Sequence, residues 1–393
     1  MVYRKCGKLP VELSLLGFGM MRLPKQAEIL DKNGFPYKTK VEESVALLRY
    51  AIDNGVNYVD TARAYGDSEE VTGIALQDGY REKVYLATKN ATTWNPNATL
   101  EDWENNLDQS LELLQTNYID FYLQHCLTAK SWDHFKKIGA FDHAQKMKQA
   151  GKIKYFGFSF HDECDVFLEI LNEYDWDFCM IQYNYADTGY QAGAKGLKAA
   201  YDKGIGVIAM EPLRGGRLVA YLPDEVQGEL KANGIDRTPA DLALRWLAAS
   251  PEVSCILSGM GTLEMVQQNI RSLSDPDVVS GNIPAKEIEL VNKMAEQWKR
   301  YKAVGCTGCN YCIPCPCGVD IPECISALNL AKSNSTSSWG ARQNYRKLIA
   351  RNAHAEQCIG CGICENKCPQ HIKIMETLKK THETMISFMW DVQ

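Results

Sequence analysis

Ten of the fifteen cysteines fall at or after Cys306, and eight of them form two runs. The first is Cys306-x2-Cys309-x2-Cys312-x2-Cys315-Pro316 and the second is Cys358-x2-Cys361-x2-Cys364-x3-Cys368-Pro369. Three cysteines at x2 spacing closed by a Cys-Pro pair is the ligand spacing of a two-cluster iron–sulfur module. In such modules the fourth cysteine of each run serves the cluster built mainly by the other run. No other feature restricts the chain so tightly, because the two runs must fold across each other to complete both ligand sets. The spacing predicts Cys306, Cys309, Cys312 and Cys368 around one [4Fe-4S] cluster, and Cys358, Cys361, Cys364 and Cys315 around the other.

The second run matches the bacterial ferredoxin pattern in full; the first departs from it by one residue, with x2 before its last cysteine. Cys317 is therefore an alternative to Cys315, and Cys315 is preferred because Pro316 follows it as Pro369 follows Cys368. Zinc sites pair two short knuckles of two cysteines each, which these runs do not. Disulfides would need an oxidising compartment. Cys324 has no place in either run and reads as a small buried residue.

The other five cysteines, Cys6, Cys126, Cys164, Cys179 and Cys255, show no regular spacing, as expected of free thiols in a reduced cytosol. A cytoplasmic location is expected, since no apolar stretch has signal-peptide or membrane-span length. The net charge of -6, with Lys and Arg scattered, gives no basic stripe for nucleic acid. Three hundred and ninety-three residues exceed one ordinary core, so two domains are expected: residues 1–298 and a small α-rich metallodomain over 299–393.

Short β-rich apolar runs alternate with helical patterns through residues 12–271. Strands are expected near 13–19, 56–60, 84–88, 118–124, 153–158, 179–183, 206–210 and 253–257. Helices at 42–54, 101–115, 192–203 and 239–249 fall between them. Eight βα units in this length fit a (β/α)8 TIM barrel better than an open doubly wound sheet. In a barrel the reactive groups sit where strands end, which selects Asp60, Tyr65, Lys89, His125, Ser159, Gln182, Glu211 and Ser258.

Four of these have a joint chemical use. Reducing a carbonyl requires a proton donor at the developing alkoxide, and a phenol serves if an ammonium beside it stabilises phenolate. Tyr65 is then the acid, Lys89 its modulator, Asp60 the anchor of Lys89, and His125 the group that orients the carbonyl oxygen. Each alone has an ordinary explanation: a packed aromatic, a surface charge, a helix cap, a core histidine. Through Val59-Asp60-Thr61-Ala62-Arg63-Ala64-Tyr65-Gly66-Asp67-Ser68-Glu69, Leu86-Ala87-Thr88-Lys89 and Leu123-Gln124-His125, the chain resembles the aldo-keto reductase superfamily. The resemblance spans residues 12–271 and implies the family's catalytic tetrad at Asp60, Tyr65, Lys89 and His125. The whole chain looks like the branch with a C-terminal ferredoxin-like 4Fe-4S extension.

The resemblance also implies a nicotinamide dinucleotide, NADH or NADPH. Ser159 and Gln182 match its amide ligands; Pro212, Leu213, Arg214 and Gly215, with Gly216 and Arg217, resemble its pyrophosphate loop; Ser258, Gly259 and Asn269 resemble the segment at its adenosine end. Phe160 stands where the family has an amide-binding Asn, and Met210 where an aromatic stacks on the ring. Gly259 and Met265 replace the cations that hold a 2'-phosphate in NADP-preferring members.

A hydride carries two electrons and each cluster passes one, so direct exchange needs a converter such as a flavin, for which no motif is visible. Structural clusters, an external electron carrier, and single electrons delivered to substrate at the tetrad are the three arrangements left. A different class, a non-enzymatic redox-sensing or partner-binding iron–sulfur protein on a barrel scaffold, is the alternative. Pro276, Gly281 and Pro284 read as breakers before a helical run from Ala285 to Lys302. Ser333–Ser338 reads as breaker-like, and Trp339–Ala353 as a moderately basic helical insertion whose Arg342, Arg346, Lys347 and Arg351 suit an acidic carrier or a solvated face. The apolar end, Met385 to Trp390, is expected to pack against the barrel or another subunit. Met20, Met21, Trp94, Leu127 and Trp132 suggest an apolar mouth for a carbonyl or alcohol substrate, or simple packing.

Overall fold

A computed structural model describes residues 1–29, 38–220, 224–301, 304–333 and 335–390. The chain forms two compact units: residues 1–26, 37–212 and 240–288 make the first, and residues 27–36, 213–239 and 289–393 the second.

The first unit begins with an antiparallel hairpin, β1 (Tyr3–Lys5) and β2 (Glu12–Ser14). Eight parallel strands then close into a barrel: β3 (Leu16–Gly19), β4 (Tyr58–Asp60), β5 (Tyr85–Asn90), β6 (Ile119–Leu127), β7 (Ile153–Phe160), β8 (Phe178–Gln182), β9 (Gly206–Met210) and β10 (Cys255–Gly259). Neighbours pair in chain order, and β10 closes on β3 with Ile256 opposite Leu16. These strands are buried on both faces, so they read as continuous apolar runs rather than alternating ones. Every residue of β8, Phe-Cys-Met-Ile-Gln, is buried.

The expected single strand over 13–19 is two. Ser14 accepts no place in the barrel ladder; its amide donates to Asn57 Oδ1 and its hydroxyl to Leu16 O, which turns the chain between β2 and β3. The hairpin lies at the N-terminal ends of the barrel strands, where Lys8 N donates to Gly204 O at 2.7 Å. Gly7 is required there: its φ is +55°, and a Cβ would stand 2.3 Å from Gly204 O. Leu9, Val11 and Leu13 of this hairpin share one apolar cluster with Tyr58, Phe121, Phe178 and Ile208 from the barrel interior.

Helices cover the barrel, including Val41–Asp53, Leu100–Leu113, Gly193–Asp202 and Pro239–Ala248, each within two residues of expectation at either end. Thr99 and Asp102 start the second of these with a reciprocal capping box. Pro276, expected to break structure, instead starts a short helix, Pro276–Ser280; the first helical position tolerates proline because its amide needs no partner. Trp132 belongs to the helix layer and not the mouth. It packs on Phe141 and Trp176, and its indole donates to Glu173.

The second unit is helical, with Ala285–Tyr301, Ile321–Ser333, Ser335–Ala350 and Ile374–Trp390 as its main helices. The polar stretch expected to interrupt the chain at Ser333–Ser338 opens the third of these from Ser335 on, residue 334 lying outside the described residues. Serine is compatible with a helix start as well as with a turn, so a polar run alone does not mark a break. Met385 is fully buried in this unit's own core with Tyr345, Leu348 and Leu378, and so is Cys324. No helix of the described residues is long and apolar enough to cross a membrane.

Candidate active site and cluster cavities

Asp60 ends β4, Lys89 lies one residue from the end of β5, and His125 lies two from the end of β6. The strands run further than expected, so Lys89, His125 and Ser159 sit within them. Because β4, β5 and β6 are neighbours, the three side chains converge. Lys89 Nζ donates to Asp60 Oδ1 at 2.5 Å and to Thr61 O at 2.8 Å, and lies 4.7 Å from the centre of the Tyr65 ring. It also hydrogen-bonds the Tyr65 side chain. The Tyr65 and His125 rings meet edge-on at 5.7 Å, and Trp94 closes on His125 at 4.9 Å.

Burial works against the Lys89 ammonium, but the Asp60 carboxylate and Tyr65 outweigh it and hold its pKa above the usual 10.5. Burial also pushes the Asp60 carboxyl up while Lys89 pulls it down. Burial outweighs Lys89 there and leaves the Asp60 pKa raised, while the direct contact with the Lys89 ammonium favours the ionised pair. His125 goes the other way: burial, then Lys89 and His161, drive its pKa well below 6.5, so the imidazole is neutral. A neutral ring carries one N–H donor, which suits it to a carbonyl oxygen.

Several supports carry no motif. The Trp103 indole donates to Gln124 Oε1 at 2.8 Å, Gln124 Nε2 to Thr93 Oγ1 at 3.0 Å, and Thr93 Oγ1 to the His125 carbonyl. The β6–β7 pairing slips between Gln124 and Leu127, and Cys126 there has φ +55°. This bulge aims the His125 side chain. The Cys126 amide, turned out of the ladder, donates to Ser159 Oγ at 2.8 Å. Thr88 Oγ1 donates to the buried Glu69 at 2.6 Å beneath Lys89.

The residues matched to a dinucleotide are partly assembled. Gln182 Nε2 donates to Asp187 Oδ2 at 3.0 Å, an acceptor it shares with Asn184; neither partner stood out in the sequence. Asn269 Nδ2 donates to Ser258 Oγ at 3.1 Å. Beside them the stem of Arg22 lies across Gly259, where a Cβ would come within 3.2 Å of it. Phe160 is buried among Phe158 and Phe167, on the helix side of β7. Arg214 and Gly215 fall in the second unit with Leu213; Arg214 is buried and donates to the Gly305 carbonyl at 2.7 Å, one residue before Cys306. Arg217 donates to Pro322 O at 3.2 Å, and a Cβ on Gly308 would stand 2.9 Å from its Nε.

In the second unit two cavities are lined by cysteines. Cys306, Cys309, Cys312 and Cys368 line one, with Ile325 and Ile372. Cys315, Cys317, Cys358, Cys361 and Cys364 line the other, with Met375 and Leu378. Cys312 and Ile321 border both. Burial raises the Cys312 thiol, and Cys309, Cys306 and Cys368 raise it further, which shows those four as mutual neighbours. Cys364 is pushed up to about 11 by burial, with Cys358 and Cys315 adding to it. No three such side chains among the described residues converge as one metal ion would need. Thiolates holding the corners of an iron–sulfur cube stand further apart, so the donor set fits clusters and not zinc.

Residues 15–280 match the model of the aldo/keto reductase family. The chain belongs to that family. Residues 305–373 of this aldo-keto reductase match a 4Fe-4S dicluster domain. It is 26% identical over 298 residues to the uncharacterized oxidoreductase YqkF of Bacillus subtilis, covering 68% of this chain and 90% of that one. It is 24% identical over 320 residues to the L-glyceraldehyde 3-phosphate reductase of Escherichia coli K12, covering 70% and 88%. The fold is also that of the aldo-keto reductase AKR11C1 from Bacillus halodurans in its holo form, with TM-score 0.60 and 23% identity over 75% of this chain and 96% of that one.

Proposed function

We propose that this aldo-keto reductase interconverts a small carbonyl compound and its alcohol at Asp60, Tyr65, Lys89 and His125. The observation that carries the reading is the position of Lys89 Nζ, held by Asp60 and the Thr61 carbonyl against Tyr65. A permanent ammonium at that point favours phenolate, so Tyr65 gives up its proton to the oxygen of a bound carbonyl. Neutral His125 donates a hydrogen bond to the same oxygen and fixes its direction. Trp94 excludes water from one side of His125.

NADH or NADPH would supply the hydride to the carbonyl carbon. Ser159 keeps an O–H donor while accepting from Cys126, and Gln182 is oriented by Asp187; these two would hold the nicotinamide amide. Ser258, Asn269 and Gly259 would meet the adenosine end. Pro212 to Gly215 remain the loop for the pyrophosphate by resemblance, although the Arg214 guanidinium is committed to Gly305. Cys306, Cys309, Cys312 and Cys368 would hold one [4Fe-4S] cluster, and Cys358, Cys361, Cys364 and Cys315 the other, giving one-electron capacity to the same chain. By the sequence reading, the boundary between the two functions would fall near residue 298.

The test is Tyr65→Phe, assayed with NADH and NADPH against a panel of aldehydes and ketones. Turnover should fall by roughly 10²-fold or more, with the fold and cluster absorbance retained. Wild-type turnover in that variant would remove Tyr65 from the mechanism.

A further inference from the structure

The two cysteine-lined cavities differ in how they meet water. Thr307, inside the first run, is 1% exposed, Arg214 donates to the Gly305 carbonyl, and the Arg217 guanidinium lies beside Gly308. The second run is open: Ile359 is 73% exposed, Ile363 is 47% exposed, and Cys361 between them is exposed as well. Both isoleucines line the second cavity, so they form its rim rather than scattered surface residues. Large apolar side chains grouped on the edge of a redox site mark a contact surface.

Charge says what kind of partner fits. Residues 340–380 hold eight Lys and Arg against three Glu, in a chain whose net charge is -6. Arg346, Lys347, Lys367, Lys373, Lys379 and Lys380 are all exposed. Exposed apolar side chains carried on a basic stretch of chain suit a small transient interface with an acidic partner, in which charge sets the encounter rate and the apolar contact excludes water.

We propose that the Ile359–Ile363 rim is the docking site for a small acidic one-electron carrier protein, which exchanges electrons with the centre held by Cys358, Cys361, Cys364 and Cys315. One electron leaves the reduced carrier and one enters that centre; no bond forms and no proton moves. The proposal rests on the one-electron role given to the clusters above.

The experiment uses the cluster-replete full chain, anaerobically, in two parts. Dithionite, a small reductant that needs no docking surface, is mixed first, and reduction is read from cluster absorbance and the electron paramagnetic resonance signal. A pre-reduced, acidic plant-type [2Fe-2S] ferredoxin is then mixed in a stopped-flow instrument, and the second-order rate is read against salt. The expected result is a rate that falls roughly tenfold from 50 to 300 mM salt, because opposite charges steer the encounter. Ile359→Ser with Ile363→Ser should lower the rate about tenfold while dithionite reduction stays normal. Arg346→Glu with Lys347→Glu, remote in sequence from any ligand, should lower it about tenfold at low salt only, which keeps the test decisive if the isoleucine changes cost cluster content.

Wild-type ferredoxin rates in both double variants would overturn the proposal, as would a rate that rises with salt. Failure of dithionite to reduce the wild type would instead remove the one-electron role itself, and the docking site with it. Self-association that Ile359→Ser with Ile363→Ser abolishes, with ferredoxin rates unaltered, would assign the rim to a second copy of this chain.

Discussion

The Cys126 amide donates to Ser159 Oγ at 2.8 Å, and this one bond secures the bulge that points His125 into the barrel. Ser159 therefore has a structural duty whether or not a nicotinamide amide also reaches it. Ser159→Ala leaves a buried N–H without an acceptor, at a cost of about 1–3 kcal/mol. A urea melt should show that loss, and carbonyl turnover should fall even at saturating nicotinamide because His125 is misaimed. Unchanged stability would mean that the bulge holds itself.

The Asp60–Lys89 pair makes a prediction about alkaline pH. The Lys89 pKa is raised in the folded protein, so its stabilising contribution is complete below the unfolded lysine value and is lost as pH climbs through the folded one. The wild-type profile of kcat/KM should accordingly lose no activity to Lys89 deprotonation below about pH 10. In Asp60→Asn the burial remains and the opposing carboxylate is gone. Lys89 should then deprotonate at lower pH, shifting the alkaline limb of kcat/KM toward neutrality, with a stability loss of about 3–5 kcal/mol. An alkaline limb that stays in place would show that Asp60 does not control Lys89.

Arg217 lies against Gly308, inside the first cysteine run. A positive charge beside a cluster favours its reduced, more negative form. Arg217→Gln should therefore lower one of the two reduction potentials, by on the order of tens of millivolts, in a titration followed by electron paramagnetic resonance. Gly308→Ala acts more harshly, since Gly308 has φ +67° and a Cβ would strike the guanidinium. Its expected outcome is loss of one cluster and retention of the other.

Iron content separates Cys315 from Cys317. Both line the second cavity, where Cys315 neighbours Cys364 and Cys317 neighbours Cys358 and Cys361. Cys315→Ser should reduce iron from about eight to about four per chain, and Cys317→Ser should leave it near eight. The reverse pattern would exchange their roles.

The barrel was legible because its strands are buried on both faces and its helices carry clear amphipathic and capping signals. That Asp60, Lys89 and His125 would converge was legible because they lie at or near the C-terminal ends of three neighbouring strands. What escaped the sequence depends on geometry that residue identity does not encode. Nothing in Leu123-Gln124-His125-Cys126-Leu127 announces a bulge, since Cys126 is not a residue that favours φ +55°. Gln124, Thr93 and Trp103 form their relay only once the helix Leu100–Leu113 is laid on β5 and β6. Arg214 reads as a phosphate ligand from its neighbours, and only the fold gives its guanidinium to Gly305. The serines from Ser335 onward read as a break because polar residues serve equally as turn formers and helix caps.

The hairpin cluster of Leu9, Val11 and Leu13 corks the base of the barrel beneath Tyr58, Phe121 and Phe178. Packed shut at that end, the barrel leaves a ligand only the opposite rim, where Asp60, Lys89 and His125 stand at or near the C-terminal ends of their strands.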